Sequence, residues 1–336
     1  MFSARLAACL LGWVTVSAFA ATPAEVLLKA ADTARTANYR GTVIYRAGGD
    51  MESMRLIHGF AAGVERERLV ALTGEPREII RLDNKVTCLL PNDRKLDLKR
   101  PALKGLITNV TAQSLKDLAS WYELRDVGTA RVAGRNCRGV ALNPRDEFRY
   151  GFEIWADEVT GVPLKVVLIG PARRALEEVM FTEVEFPASL PDEAFVPGLD
   201  PARFKAITRA EPAMKELSGG AADISDFPLR FDDLPPGYKV TMREQRPGND
   251  LRGKVEHLML SDGLSAVSVF AALGVAPDKA FNGLTQMGAV QAYGRSLGRY
   301  HVTVVGETPV ATVEAIADGI KLRDTTATDK PPSPKP

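Results

Sequence analysis

The spacing of apolar residues changes from helical to strand-like near residue 38. Thr22, Pro23 and Glu25 supply a helix start: an N-cap residue, a proline in the first turn and a capping-box glutamate. After them, apolar residues recur every three or four positions, as on one face of an α-helix. These residues are Val26, Leu27, Ala30, Ala31 and Ala34. The pattern predicts one amphipathic helix that opens the first domain and ends at about Ala37.

From Tyr39 onward, apolar and polar residues alternate, which is the period of β-strands. Glycine, proline, asparagine and aspartate break the run at 48–50, 72–76 and 83–84. A short helix is predicted at 114–121, followed by strands at 148–155, 162–169 and 177–186. The first domain, 21–205, is therefore predicted to lay a long helix on a large antiparallel sheet. A sheet that curls without closing leaves an apolar concave face, which helices or a ligand must fill.

A second, smaller domain follows a stretch rich in proline and glycine. We predict a linker at 206–227, a second domain at 228–323 and a tail without fixed structure at 324–336. Asp262 and Gly263 form the strongest hairpin signal, between predicted strands 255–260 and 264–273. A further strand is predicted at 300–305. Thr308 and Pro309 then mark the start of a closing helix, 310–320. The fold class is mainly β (α+β).

The first 20 residues have the pattern of a secretory signal peptide. Arg5 supplies the positive start, and residues 6–16 form an apolar run too short to span a bilayer. An A-x-A site ends at Ala20, so cleavage is expected between Ala20 and Ala21. This signal peptide predicts a periplasmic protein. The sequence has no further segment of 18 consecutive apolar residues.

Charge and cysteine content narrow the classes of function. The chain has 43 Lys and Arg against 42 Asp and Glu, a net charge of +1, which gives no field for recruiting nucleic acid. Cys88 and Cys137 remain after signal cleavage, in an oxidising compartment. The sequence leaves open whether they form a disulfide or two buried free thiols.

Residue types that carry catalysis or bind metal are sparse. The three histidines, His58, His257 and His301, lie in predicted strands and do not have metal-ligand spacing. There is no C-x-x-C, no G-x-S-x-G elbow and no phosphate-binding glycine loop between a strand and a helix. We therefore expect no catalytic residues, no metal and no cofactor.

Several short segments resemble the MucB/RseB family of periplasmic regulators. They are residues 38–42, 51–55, 65–69 and 74–81 in the first strands, then 149–151, 154–157 and 305–309. The resemblance implies an open antiparallel half-barrel, similar to lipoprotein carriers, in the first domain. It also implies a non-enzymatic partner of the periplasmic domain of an inner-membrane anti-sigma factor, which it protects from proteolysis. Release is expected on binding lipid or lipopolysaccharide, and a mislocalised lipoprotein is a further expected partner.

Two sets of candidate site residues follow. The glycine-rich segment 286–299 offers backbone for an added strand, and its partner-binding candidates are Gln291, Tyr293, Arg295 and Arg299. The lipid-cavity candidates, for which ordinary core packing is the alternative, are Met51, Met54, Leu56 and Phe60. Two rival functions are a lipoprotein or lipid carrier and an uncharacterised periplasmic hydrolase. The sequence leaves the oligomeric state open, a homo-oligomer included.

Overall fold

A computed structural model describes residues 21–83, 85–91, 110–200, 204–210, 222–225, 227–247, 254–275 and 280–323. The predicted signal peptide, most of the predicted linker and the predicted tail lie outside these ranges. The helices in the described part are α1 (Pro23–Thr36), α2 (Ala112–Leu118) and α3 (Val310–Gly319), with 3-10 turns at Pro171–Arg173 and Asp192–Phe195.

The first domain is built on an eleven-stranded antiparallel sheet in the order β11-β5-β4-β3-β2-β1-β10-β9-β8-β7-β6. Its strands are β1 (Tyr39–Ala47), β2 (Asp50–Ala61), β3 (Val64–Ala71), β4 (Glu78–Leu82), β5 (Lys85–Pro91), β6 (Tyr122–Val132), β7 (Arg135–Pro144), β8 (Gly151–Asp157), β9 (Pro163–Ile169), β10 (Ala175–Glu185) and β11 (Phe204–Ala210). Most neighbours in the sheet are also neighbours in sequence, as the predicted meander requires.

This sheet curls strongly and stays open. Cα atoms of β10 and β6 come within 8 Å of each other although β9, β8 and β7 lie between them. Four strand spacings would separate them by about 19 Å in a flat sheet. The edge strands β6 and β11 do not pair with each other. The predicted half-barrel is confirmed.

Helix α1 lies across the concave face of the half-barrel. It contacts β2 and β6–β9, and buries Leu27, Ala30, Ala31 and Ala34 against them. Its predicted capping box is present, because the Thr22 hydroxyl accepts from the Glu25 N–H and Glu25 accepts in return. Small alanines on the buried face let the helix approach the sheet closely.

Cys88 and Cys137 are free buried thiols, so the disulfide that the sequence left open is not formed. Cys88 lies in β5 and Cys137 in β7. The sheet order places β4, β3, β2, β1, β10, β9 and β8 between these strands. A bridge requires Cα atoms within about 7 Å, and the two thiols instead lie on strands with seven others between them in the sheet order.

The second domain packs α3 on one face of a six-stranded antiparallel sheet in the order β13-β14-β15-β18-β17-β16. A two-stranded sheet pairs β12 with β19. The strands are β12 (Leu229–Phe231), β13 (Lys239–Pro247), β14 (Lys254–Ser261), β15 (Ala266–Leu273), β16 (Gly283–Met287), β17 (Val290–Leu297), β18 (Tyr300–Gly306) and β19 (Ile320–Leu322). Val313, Ile316 and Ala317 of α3 are fully buried in its core.

Several predicted boundaries differ from the structure, among them the short helix, predicted at 114–121 and found at Ala112–Leu118. Residues 206–210 of the predicted linker lie in β11, which pairs with β5 and extends the first sheet to Ala210. The strand predicted from Phe148 begins only at Gly151. Residues 148–150 instead make contacts with the second domain.

Candidate functional site at the domain junction

The junction centres on the three residues that precede β8: Phe148, Arg149 and Tyr150. Two side chains of the second domain bind the Phe148 carbonyl oxygen: Thr312 Oγ1 donates to it at 2.7 Å and the Tyr238 hydroxyl at 3.4 Å. The Phe148 carbonyl therefore does not pair within the sheet but accepts hydrogen bonds from side chains of the second domain.

The Arg149 side chain carries the charge of the junction. Its Nε donates to Asp262 Oδ2 at 2.7 Å, and both side chains are fully buried. The other guanidinium nitrogens donate to Asp146 of the first domain and to the Pro236 carbonyl of the second. One buried cation thus has partners in both domains.

Aromatic rings enclose this guanidinium. Its carbon lies 5.0 Å from the Trp121 ring centroid and 5.2 Å from that of Tyr238, within range of cation–π attraction. Gly237 makes room for the Trp121 ring, because a Cβ there would lie 2.5 Å from Trp121 Cε2. Gly237 also has a φ of +82°, a left-handed conformation that favours glycine.

Electrostatics keep Arg149 charged in this enclosed position. Burial opposes the charged form, but attraction to Asp262 and hydrogen bonds with Asp146 and Asp262 outweigh it and raise the pKa of Arg149. Asp262 is itself fixed, since its Oδ1 accepts from the N–H groups of Leu264 at 2.9 Å and Ser265 at 2.7 Å. The pair is therefore pre-positioned from the second-domain side.

Around the ion pair, apolar and neutral polar contacts continue the junction. Leu264 and Ala289 of the second domain belong to the buried core of the first. The Tyr150 hydroxyl donates to the Ala289 carbonyl at 3.3 Å and accepts from Gln291 Nε2 at 3.4 Å. Burial raises the pKa of Tyr150, so it remains a neutral donor.

The four partner-binding candidates fall in different environments. Gln291 is buried at the junction. Tyr293 packs against the second-domain core under α3, and Arg295 donates to the Ala317 carbonyl at 3.0 Å and to Asp318 at 3.2 Å. Arg299 is exposed, with its guanidinium carbon 5.6 Å from the Tyr300 ring centroid. Of these four candidates, Gln291, Tyr293 and Arg295 are buried or partly buried in intramolecular contacts, and only Arg299 is exposed.

The four lipid-cavity candidates also divide. Met54 and Leu56 are each 3% exposed and belong to the core on which α1 packs. Phe60 shares their side of β2 and is half-buried, whereas Met51 lies on the opposite side of the strand and is 68% exposed. Of the four, Met54, Leu56 and Phe60 are oriented towards the concave face, and Met51 is not.

Sequence reasoning did not identify the Arg149–Asp262 pair as a site. In the sequence, Arg149 stands out only as part of segment 149–151, which resembles the MucB/RseB family, and Asp262 only as a hairpin residue. Their separation of 113 residues in the chain leaves no local spacing signal. One sequence signal was available, an arginine placed between Phe148 and Tyr150 before an apolar strand.

Neither a metal-binding cluster nor a membrane-spanning helix occurs among the described residues. In this part of the chain, no three His, Cys, Asp or Glu side chains group as they would around a metal ion. None of the described helices combines the length and the apolar character needed to cross a membrane.

Comparison with known proteins identifies the family. The model of the MucB/RseB N-terminal domain matches residues 22–199, and that of the MucB/RseB C-terminal domain matches residues 223–321. The chain belongs to the MucB/RseB family. Both family domains are present, and residues 148–150 and Asp262 belong to different ones.

Relatives of this MucB/RseB chain are named as regulatory proteins. The sigma factor AlgU regulatory protein MucB of Pseudomonas aeruginosa is 30% identical over 323 residues, which cover 90% of this chain and 92% of MucB. The sigma-E factor regulatory protein RseB of Escherichia coli K12 is 24% identical over 305 residues, with 90% and 92% covered.

Solved MucB structures share the fold. The complex of Pseudomonas aeruginosa MucA and MucB matches with a TM-score of 0.68 and 28% identity, over 90% of this chain and 99% of that one. A further crystal structure of MucB matches with a TM-score of 0.62, over 90% of this chain and 98% of that one. The fold of both domains is therefore that of MucB.

Proposed function

We propose that this protein is a periplasmic negative regulator of an envelope stress response. It binds the periplasmic domain of an inner-membrane anti-sigma factor and protects that domain from regulated proteolysis. Its export depends on the signal at residues 1–20, with cleavage between Ala20 and Ala21. Bound lipid, lipopolysaccharide or a mislocalised lipoprotein releases the anti-sigma factor.

One observation carries this proposal: MucB, which shares both domains with this chain, has been solved in complex with the periplasmic part of MucA. A lipid carrier built on a half-barrel needs only the first domain. The second domain, held by a buried ion pair, favours regulation over the carrier alternative. The hydrolase alternative receives no support from the residues that the structure brings together.

The junction supplies a physical route from lipid to partner. Tyr150 is buried in the first-domain core with Met54 and Leu56, and it hydrogen-bonds Ala289 and Gln291 of the second domain. An acyl chain that repacks the concave face would therefore act on the residue next to Arg149. Linkage requires that lipid weaken partner binding and that the partner weaken lipid binding by the same factor.

The test uses the purified mature protein and the periplasmic domain of Pseudomonas aeruginosa MucA. Binding is measured by calorimetry, and protection by the MucA fraction that survives a limiting amount of protease. Both are repeated with increasing lipopolysaccharide. We expect binding, protection, and a loss of affinity with lipopolysaccharide of about 5- to 150-fold, the usual range of coupling.

Met54→Ala and Met51→Ala form a matched pair for the lipid arm, since Met54 is buried at the concave face and Met51 is exposed on the other side of β2. Only the Met54 variant should weaken lipopolysaccharide binding, with folding checked by circular dichroism. Absence of MucA binding by the wild type would refute the proposed function. Unchanged MucA affinity at saturating lipopolysaccharide would refute the release by lipid, and the protein would then only protect the anti-sigma factor.

A further inference from the structure

The edges of the two larger sheets differ in how they are protected. Exposed strand edges pair readily with other chains, and proteins commonly guard them with charged residues, prolines and bulges. In the described part of the chain, three edge strands contain charged residues: Glu123, Arg125, Asp126 and Arg131 in β6, Lys205 and Arg209 in β11, and Lys239, Arg243 and Glu244 in β13. Bulges also interrupt the pairing of β6 and β13.

Strand β16 lacks this protection. Its sequence, Gly283–Met287, has no charged residue and no proline. Within the described residues it pairs with β17 alone, with an uninterrupted register from Gly283 opposite Gly294 to Met287 opposite Val290. Leu284 is 45% exposed and Met287 60% exposed. The strand therefore presents a regular, uncharged edge with an exposed apolar side chain on each face.

The position of β16 links this edge to the domain junction. The turn between β16 and β17 contains Ala289, whose carbonyl accepts from Tyr150 of the first domain. The Met287 end of β16 therefore borders the first domain, and the Gly283 end points away from it. A chain that paired with β16 along its length would reach the junction at one end.

We infer that the free edge of β16 is a docking site for an extended, uncharged, alternately apolar segment of the anti-sigma factor's periplasmic domain. The segment adds as a seventh strand to the second-domain sheet, held by backbone hydrogen bonds and by apolar contacts with Leu284 and Met287. This inference rests on the proposed function and names the surface that it uses.

The geometry favours a slender peptide over a second copy of this chain. Two copies related by a two-fold axis would pair β16 antiparallel, with each Met287 beside the other copy's Gly283. Each half-barrel, which borders its own Met287, would then face the Gly283 end of the other copy. An extended peptide carries no such domain beside the paired strand. Because the edge has no charged residue, it offers no ion pair to a charged segment and matches an uncharged one.

The test uses the double variant Leu284→Lys with Met287→Lys, which gives β16 the charges that guard the other edges. Both side chains are exposed, so folding should be retained. The matched control is Leu322→Lys, an equally exposed leucine of the same domain, at 40%, that lies in β19. Affinity for the periplasmic domain of Pseudomonas aeruginosa MucA is measured by calorimetry. Hydrogen exchange of wild-type residues 283–287 is followed with and without MucA.

We expect the double variant to bind MucA at least about tenfold more weakly, and Leu322→Lys to bind as the wild type does. In the wild type, the amides of residues 283–287 should exchange more slowly when MucA is bound. Normal MucA binding by the double variant would overturn the docking site and leave the proposed function standing. Wild type that does not bind MucA would overturn both. A wild-type dimer that only the double variant disrupts, with unchanged MucA affinity, would assign the edge to a second copy and refute the inference.

Discussion

Two arginine–aspartate pairs, each with a buried aspartate, differ in what they join. Arg135 and Asp157 lie in β7 and β8 of the same sheet, with Nε and Nη2 donating at 2.8 and 3.0 Å. Arg149 and Asp262 belong to different domains. The Arg135 side chain is 32% exposed, whereas Arg149 is fully enclosed.

This difference shows how position decides the effect of a buried charge. Breaking the pair within one sheet leaves Asp157 trapped, because strand pairing still holds the hairpin closed. Breaking the pair across the junction has a different result, because the two domains can separate and Arg149 can then be hydrated. The first pair stabilises a domain, and the second fixes how two domains meet.

The largest effect is expected for Asp262→Ala. Arg149 would keep Asp146 but lose its buried partner Asp262, so the closed state should be destabilised by up to about 3–5 kcal/mol. The domains should separate before either unfolds, so calorimetry should show two transitions and X-ray scattering a larger radius of gyration. Asp318→Ala, which removes a 70% exposed partner of Arg295, is the control and should change little. One transition at the wild-type midpoint would contradict the assigned role of the pair.

A smaller effect is expected for Asp157→Ala, about 1–3 kcal/mol, from lost hydrogen bonds to Arg135 and to the Thr160 N–H and hydroxyl. It should lower the unfolding midpoint of the first domain without changing the radius of gyration. Glu158→Ala, in the same turn and exposed, is the control. An expanded molecule would show that this pair also controls domain arrangement.

The deficit of Asp157→Ala should depend on pH. Burial opposes the charged carboxylate, but hydrogen bonds from Arg135 and Thr160 outweigh it and lower the pKa of Asp157 below the reference value of 3.8. The pair's contribution is therefore complete above about pH 4 and is lost as the pH falls through the lower folded pKa. Wild type and variant should converge in stability under acid.

The smallest effect concerns the second domain. Burial lowers the pKa of His301 below 6.5, and the Nδ1 atom of this side chain has no hydrogen-bond partner. Its contribution is complete above pH 6.5 and is lost as the pH falls through the lower folded pKa. His301→Gln should therefore reduce the acid sensitivity of the second-domain transition between about pH 7 and 5. Identical pH profiles for variant and wild type would rule out this role.

Local signals predicted much of the fold. Thr22, Pro23 and Glu25 form the capping box that begins α1, and Asp262 with Gly263 lies between β14 and β15 as predicted. The closing helix was also predicted, although its N-cap is Pro309 and not Thr308. Such signals depend on residues a few positions apart, which a single sequence displays directly.

The site was less predictable because its contacts are distant in the chain. The Gln291 side chain is polar and lies in a glycine-rich segment, which suggests exposure, yet it is buried against Tyr150. The strand pattern from Phe148 to Trp155 is continuous in the sequence, but side chains from residues 238 and 312 bind the Phe148 carbonyl. Both outcomes depend on how the second domain packs.

The insertion of Leu264 and Ala289 into the first-domain core sets an order on assembly. A growing chain completes all eleven strands of the half-barrel by residue 210, but it lacks these two core residues until about eighty more residues follow. Part of the apolar interior of the half-barrel therefore stays uncovered until the second domain has been synthesised. Truncation within residues 254–289 would leave a molecule with an intact sheet and a permanently unfinished core.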